Sequence, residues 1–469
     1  MVLTGKSLGR ILVLSENLAP SPLREREGGG GPRWFMLLPK MYQIRQTFER
    51  TIIKDIKGTV ECELKKLSLE QRVKPGQRVA ITAGSRGIAN IAEILKASVN
   101  FFRSLGAQPF IFPAMGSHGG ATAEGQVGLL SHYGITEVSM TVPIVSSMEV
   151  IEIEKTEDGV PVYIDRHASQ ADHIVVVNRI KPHTKFKAPI ESGLMKMMAI
   201  GMGKQIGADY YHKAALHHTF FKIIVDAGRI VMKKAPILCG LGILENGYDE
   251  TAKIVVLRPD EIEAEEIKLL TEAKRMMPRL PFNEIDLLIV DEIGKDISGV
   301  GIDPNVTGRN QDLLGVFPHP TNAKRIFVRD LTAGSNGNAI GIGLADITTK
   351  RLVDKIDYQA TYMNAITGIS LEKAAVPMYF ETDRKAIEVA LGSIGLTSPE
   401  RSRVVRIKNT LHLDEVEVSE VYEKEIHQRP DLEMLEGPNT MVFDANENLV
   451  DMQVPPPTHP SPLGGGGQG

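Results

Sequence analysis

Between His183 and His218 the chain sets four histidines and five lysines among thirty-six residues, interleaved with glycines. Residues of this kind suit chemistry better than core. An imidazole binds a metal or moves a proton, an amine holds an anion or meets an electrophile, and glycine lets backbone approach a phosphate. Within the segment Lys196 follows Ser192-Gly193, and His212 stands sixteen residues further on. A helix opening at Ser192-Gly193 would turn its first N–H groups toward an anion. The pattern S-G-x-x-K is not a Walker A loop, which needs G-x-x-x-x-G-K-[ST]. His212, His217 and His218 are not the H-E-x-x-H of a zincin, since no acid lies between them. Met195, Met197, Met198 and Met202 read as core filling, and His217 and His218 as an exposed helix face.

Other candidates lie outside this segment or open it. His118 stands in G-S-H-G-G, where flanking glycines offer an imidazole little cover, and His183 follows Lys181-Pro182, where the proline stiffens the backbone. Arg86, Lys295 and Arg309 are candidate anion clamps, an arginine being able to grip a carboxylate with two parallel hydrogen bonds.

These residues need elements to hold them. Arg78 to Ala83 is an apolar run ending in Gly84-Ser85-Arg86-Gly87, and Ile88 to Leu105 then repeats apolar residues at helical spacing up to Gly106. Residues 109–113 form the next strand, ending before His118, and Thr122 to Tyr133 the next helix. Residues 173–178 form another strand, running into His183. Alternating strands and helices predict an α/β fold with mostly parallel sheets, and such sheets bind ligands beyond the carboxyl ends of their strands. Arg86, His118 and His183 all fall there. A second unit opens near residue 278, with strands over 284–291 and 325–331 around a glycine-rich loop carrying Lys295 and Arg309. The expected organisation is a disordered arm or a non-native start over 1–40 and a first α/β domain, carrying cofactor and catalysis, over 41–277, with 438–452 as its candidate last strand. A second α/β domain over 278–437 and a tail over 453–469 complete it, with the active site in the cleft between the domains.

Composition narrows the class. A chain of 469 residues is too long for one ordinary core. A net charge of −4 argues against nucleic acid or an anionic membrane as partner. Two cysteines, Cys62 and Cys239, exclude a disulfide scaffold and argue against a cysteine-ligated metal. No apolar run approaches the roughly 18 residues of a membrane span, and Ile11-Leu12-Val13-Leu14 is too short for a signal peptide. The expectation is a cytoplasmic enzyme.

Taken together, the strand-then-G-S-H loop, the strand followed by P-H, the S-G-x-x-K motif and the histidine sixteen residues beyond it resemble the lactate racemase family. These are nickel-pincer-nucleotide enzymes that racemise or epimerise 2-hydroxy acids. The likeness runs from about Val79 to Leu344. It implies catalytic histidines at His118 and His183, covalent attachment of the cofactor at Lys196 with Ser192 and Gly193 beside it, and a nickel ligand at His212. The cofactor is pyridinium-3,5-bisthiocarboxylic acid mononucleotide nickel. The substrate carboxylate would be held by Arg86, with Lys295 or Arg309 in place of the family's second-domain lysine. The first loop departs from the family's Asp-His-Thr-Arg-Pro: Ala83-Gly84-Ser85-Arg86-Gly87 keeps the arginine and lacks the aspartate. The implied partners are a small 2-hydroxy acid and the enzymes that make the cofactor, and a homo-oligomer is allowed. Two other readings stand beside this one. The first is a metal hydrolase using His118, His183 and His212; the second is a homologue that binds ligand or cofactor without turnover.

Overall fold

The computed structural model describes residues 36–452 apart from Arg86 and residues 314–316. The expected arm before residue 36 and the tail from 453 lie outside the described residues.

The described strands, in chain order, are β1 (Lys40–Gln46), β2 (Arg78–Ala83), β3 (Gln108–Pro113), β4 (Val150–Lys155), β5 (Pro161–Asp165), β6 (His173–Arg179), β7 (Ile237–Glu245) and β8 (Thr251–Leu257). They continue with β9 (Glu284–Ile293), β10 (Asn322–Leu331), β11 (Ile347–Thr349), β12 (Met378–Phe380), β13 (Val404–Ile407), β14 (Glu415–Ser419) and β15 (Leu432–Thr440). The smaller main sheet has the order β3-β2-β6-β7-β8, parallel except for β8. The larger has the order β12-β11-β10-β9-β13-β14-β1-β15, with β14, β1 and β15 antiparallel. The hairpin β4–β5 stands apart. The fold is therefore α/β with mostly parallel sheets, as the alternation of strands and helices predicts.

The central strands are apolar along their whole length because both faces are covered. Ile81, Val175, Val177 and Leu241 join Phe102 and Leu95 on one side of the smaller sheet. Ala80, Phe112, Ile174 and Val176 join Met195, Met198 and Ile224 on the other. The methionines of the Lys196 segment are thus core, as read.

Two pairings differ from expectation. Lys40–Gln46 opens the region assigned to the first domain, yet it pairs with β14 and β15 in the larger sheet, Ile44 opposite Val416 and Met434. The apolar piece at 438–443 does not return to the smaller sheet: β15 extends to Thr440 and pairs with β1. Hydrophobic pattern specifies that a strand is buried, not which sheet receives it.

Each main sheet reverses its strand order at one point, between β2 and β6 in the smaller and between β9 and β13 in the larger. The crevice outside the strand ends at such a reversal is where open α/β sheets bind ligands.

Candidate active site

The loop bearing His183 is closed at its base. Lys181 N–H donates to the Ser192 carbonyl at 2.8 Å and Ser192 N–H returns a bond to Lys181 at 3.3 Å. Inside lies the buried carboxylate of Glu191, accepting from His183 N–H at 2.7 Å, Ala188 N–H at 3.1 Å and Lys274 Nζ at 2.6 Å. Three donors satisfy a charge that would otherwise be costly to bury. The His183 ring packs on Phe186, with centroids 4.6 Å apart, and its Nδ1 accepts from Lys185 N–H at 3.1 Å.

Beyond Ser192 the chain turns through Leu194–Lys196, a wide π-type turn over Met197–Gly201, and the helix Lys204–Ala214. Such wide turns often occur at functional sites. The segment lies at the strand reversal of the smaller sheet: a Cβ built on Gly84, just past β2, would stand 3.3 Å from Met197 Cε. His212 Nδ1 bonds the Ala208 carbonyl at 2.6 Å, one turn back on its own helix. A carbonyl only accepts, so Nδ1 carries the proton and Nε2 the lone pair, the form that ligates a metal. Burial pushes the His212 imidazole down to about 4, with the cations Lys185 and Lys196 acting in the same direction.

His183, Lys196 and His212 therefore share one site. Burial holds His183 well below the usual imidazole range, and Lys196, Lys185, His212 and Lys373 add to this. Phe220 lies under both histidines, 6.3 Å from His183 and edge-on to His212 at 5.1 Å. His118 comes from the loop after β3. Its Nδ1 bonds the Met115 carbonyl at 2.8 Å. The buried Gln126 holds that loop through the Gly116 and His118 carbonyls at 3.0 and 3.2 Å. Gly116 packs against Ala208, the residue whose carbonyl orients His212.

One expectation needs correction. The turn at Ser192-Gly193 does face an anion, but the anion is the protein's own. Glu266, from the helix Pro259–Met276, accepts from Met195 N–H at 2.9 Å. A Cβ on Gly193 would collide with that carboxylate. The Met195 N–H is spent and the carboxyl fills the space beside Gly193, so the start of this turn does not fit a cofactor phosphate, and Ser192 and Gly193 serve the loop closure and the close approach of Glu266.

The candidate clamps fare differently. Arg86 lies outside the described residues. Arg309 is a structural pin: it pairs with Asp346 and donates to the Ala323 and Lys324 carbonyls at 2.7 and 3.1 Å, at the amino end of β10 and away from the strand ends that carry the site. Lys295 follows the carboxyl end of β9, its Nζ on the Gly299 carbonyl at 2.8 Å and Asn364 Oδ1 at 3.0 Å.

The pattern concealed several contributors from the larger sheet's side. Lys187 bonds Asn305 Oδ1 and stands 4.5 Å over the Phe317 ring, and Asn305 Nδ2 donates to the His183 carbonyl at 3.4 Å. Lys185 bonds the Gly368 carbonyl and lies 3.5 Å from Asp312, which Lys373 also meets at 3.3 Å, all three side chains being buried. No local signal marks these residues, because each contact joins positions more than fifty residues apart. Among the described residues, no three His, Cys, Asp or Glu side chains converge as a protein-built metal site requires.

The fold and site define an α/β protein with histidines and lysines gathered near strand ends, one imidazole being held with its lone pair on Nε2. Residues 35–220 match the family described as Lactate racemase N-terminal domain. Among solved structures it is similar to the lactate racemase apoprotein from Thermoanaerobacterium thermosaccharolyticum, with 13% identity and a TM-score of 0.49 over 78% of this chain and 94% of that one. No curated protein matches the chain in sequence. Among the described residues no helix is long and apolar enough to cross a membrane.

Proposed function

We propose that this protein is a racemase or epimerase of a 2-hydroxy acid that works with a nickel-pincer nucleotide attached at Lys196 and ligated by His212. The observation that carries the reading is the His212 ring. Its Nδ1–H is tied to the Ala208 carbonyl, its Nε2 lone pair is left to a metal, and Lys196 lies close enough to depress its basicity. A metal that brings three ligands of its own needs one imidazole from the protein, which agrees with the lack of a three-residue ligand cluster among the described residues. For the same reason the His-ligated hydrolase is not supported.

The group supplies, when bound, a hydride acceptor for the substrate α-carbon. The α-hydrogen beside a carboxylate is poorly acidic, so moving it as hydride avoids a dianionic carbanion. The chain's part is to bind, orient and move the hydroxyl proton. His118 and His183, from the ends of β3 and β6, are the candidates for that last task, and Lys295 and Arg86 those for the carboxylate. The Glu266-capped turn is not the place where the nucleotide phosphate would be held.

The test is a panel of chiral 2-hydroxy acids assayed for enantiomer exchange after co-expression with cofactor-synthesis enzymes. Exchange of at least one acid is expected. Binding of such acids by the loaded protein without exchange would establish the non-catalytic homologue instead.

A further inference from the structure

Two buried lysines from different parts of the chain share the Asp312 carboxylate. Lys373 meets its Oδ2 at 3.3 Å, and Lys185, from the His183 loop, at 3.5 Å. Ser370 Oγ donates to the same oxygen at 2.8 Å. The carboxylate thus keeps a cation and a hydroxyl even without Lys185. Glu372 also attracts both lysines, and its buried Oε2 has no hydrogen-bond partner among the described residues. At Lys185 burial outweighs the attraction of Asp312 and holds the ammonium below the usual lysine range. A charge in that place returns less to the fold than it costs.

What Lys185 supplies is a connection. Its Nζ bonds the Gly368 carbonyl, and its own carbonyl accepts from Asn310 Nδ2 at 3.2 Å. The loop is caught again two residues away on each side. Asn305 Nδ2 donates to the His183 carbonyl at 3.4 Å, and Lys187 Nζ bonds Asn305 Oδ1. Asn305, Asn310 and Asp312 lie in the connection from β9 to β10, and Gly368 in that from β11 to β12. Positions 183, 185 and 187 therefore meet the connections of the larger sheet, while the Lys181–Ser192 bridge closes the loop's base after β6 of the smaller one. Lys185 also stands close enough to both His183 and His212 for its charge to act on each.

We infer that Lys185 is a positioning residue: it fastens the His183 loop to the connections that follow β9 and β11, and so fixes where the imidazole meets substrate. Within the racemase reading, on which this rests, His183 moves a hydroxyl proton and Lys185 places it. An imidazole displaced by about 1 Å can cost on the order of 10²-fold in rate. A residue kept for such a purpose has a recognisable signature, since its loss costs activity and spares stability. A lysine kept for the fold alone would show the reverse.

Lys185→Met keeps most of the side chain's length and removes the charge and the donor. Its Tm should not fall, because Asp312 retains Lys373 and Ser370. Hydrogen exchange read by mass spectrometry on the unloaded full chain should quicken in the peptide spanning 181–192 and stay unchanged elsewhere. In protein loaded by co-expression with cofactor-synthesis enzymes, adduct mass and nickel should be retained. For an acid that the wild type exchanges, kcat should fall about 10- to 100-fold while KM stays within about threefold. Asn310→Ala cuts a separate tie to the same loop and should lower kcat in the same direction, by less. Unchanged exchange over 181–192, a kcat within about threefold of wild type, or a clear loss of stability in Lys185→Met overturns the inference. If the wild type exchanges no hydroxy acid, the racemase reading fails, and hydrogen exchange still decides whether Lys185 holds the loop.

Discussion

Glu266 Oε2 accepts the Met195 N–H at 2.9 Å, so the residue preceding the proposed tether lysine is anchored by a buried carboxyl seventy-one positions away. The other oxygen, Oε1, is buried with no hydrogen-bond partner. Burial is the main cause that lifts this carboxyl from 4.5 to about 7, against the pull of the nearby backbone N–H groups of Met195 and Leu194.

A pH dependence follows. The folded chain holds the Glu266 proton more tightly than the unfolded chain does. The resulting stability is complete below pH 4.5 and is lost as pH rises through 7, a change of about 3 kcal/mol at most. Denaturant unfolding from pH 4.5 to 8 should show this slope in the wild type. In Glu266→Gln, which keeps an oxygen acceptor and cannot titrate, about one proton of the slope should vanish. An unchanged slope would falsify the assignment.

Gly193 is bound to the same carboxyl by space. Its backbone is extended, so any residue could adopt its φ of −176°; the constraint is the collision of a Cβ with Glu266. Gly193→Ala should cost about 1–3 kcal/mol, the range for forcing atoms into a packed interior. Gly193→Ala in a Glu266→Ala background should cost clearly less, since the obstacle is gone. Equal costs in the two backgrounds would mean that the glycine serves another purpose.

What was legible in the sequence and what was not divide along a physical line. Buried parallel strands such as Val79–Ala83 and Ile174–Val177 show as unbroken apolar runs, and the helix Ile91–Ser104 shows its period. Both signals are local. His183, Lys196 and His212 lie within thirty residues, so spacing and resemblance together could join them. Glu191, Glu266, Asp312 and Lys373 carry no such mark. A buried carboxylate or amine reads like any surface charge until its partners are known, and those of Glu266 and Lys373 are remote in sequence. The anion expected at Ser192-Gly193 was right in sign and wrong in owner, because a motif specifies donors and cannot say what accepts from them. The membership of β1 in the larger sheet was hidden likewise, being decided by pairing with Glu415–Ser419.

Lys204 and Asp165 form a second buried arrangement that the site depends on. Lys204 sits between Lys196 and His212 with a φ of 54°, the left-handed region that a lysine rarely adopts. Its Nζ meets Asp165 Oδ2 at 3.1 Å, the Pro113 carbonyl at the end of β3, and Gln126 Oε1 at 3.4 Å. Both charged side chains are fully buried. The pair thus joins the Lys196–His212 segment to the end of β3 and the His118 loop. Lys204→Met leaves Asp165 unpaired and should destabilise the protein by about 3–5 kcal/mol. Lys204→Met with Asp165→Asn should recover part of this, a coupling that a double-mutant cycle in denaturant measures. Strict additivity of the two changes would show that the carboxylate is satisfied in some other way.

Under the proposed function Lys196 and His212 would make separable contributions to holding the cofactor, and two measurements tell them apart. Lys196→Arg keeps a cation beside His183 and His212 but removes the amine that would form the covalent bond. After co-expression with the cofactor-synthesis enzymes, the adduct should disappear from the intact-mass spectrum of this variant. His212→Ala keeps that amine and removes the imidazole whose Nε2 the Ala208 carbonyl sets toward a metal. Its adduct mass should persist while the nickel measured in the purified protein falls at least tenfold, as loss of a ligand entails. His118→Gln and His183→Gln alter neither tether nor ligand and should keep both adduct and nickel. Nickel lost from His183→Gln as fully as from His212→Ala would assign the metal to the wrong imidazole.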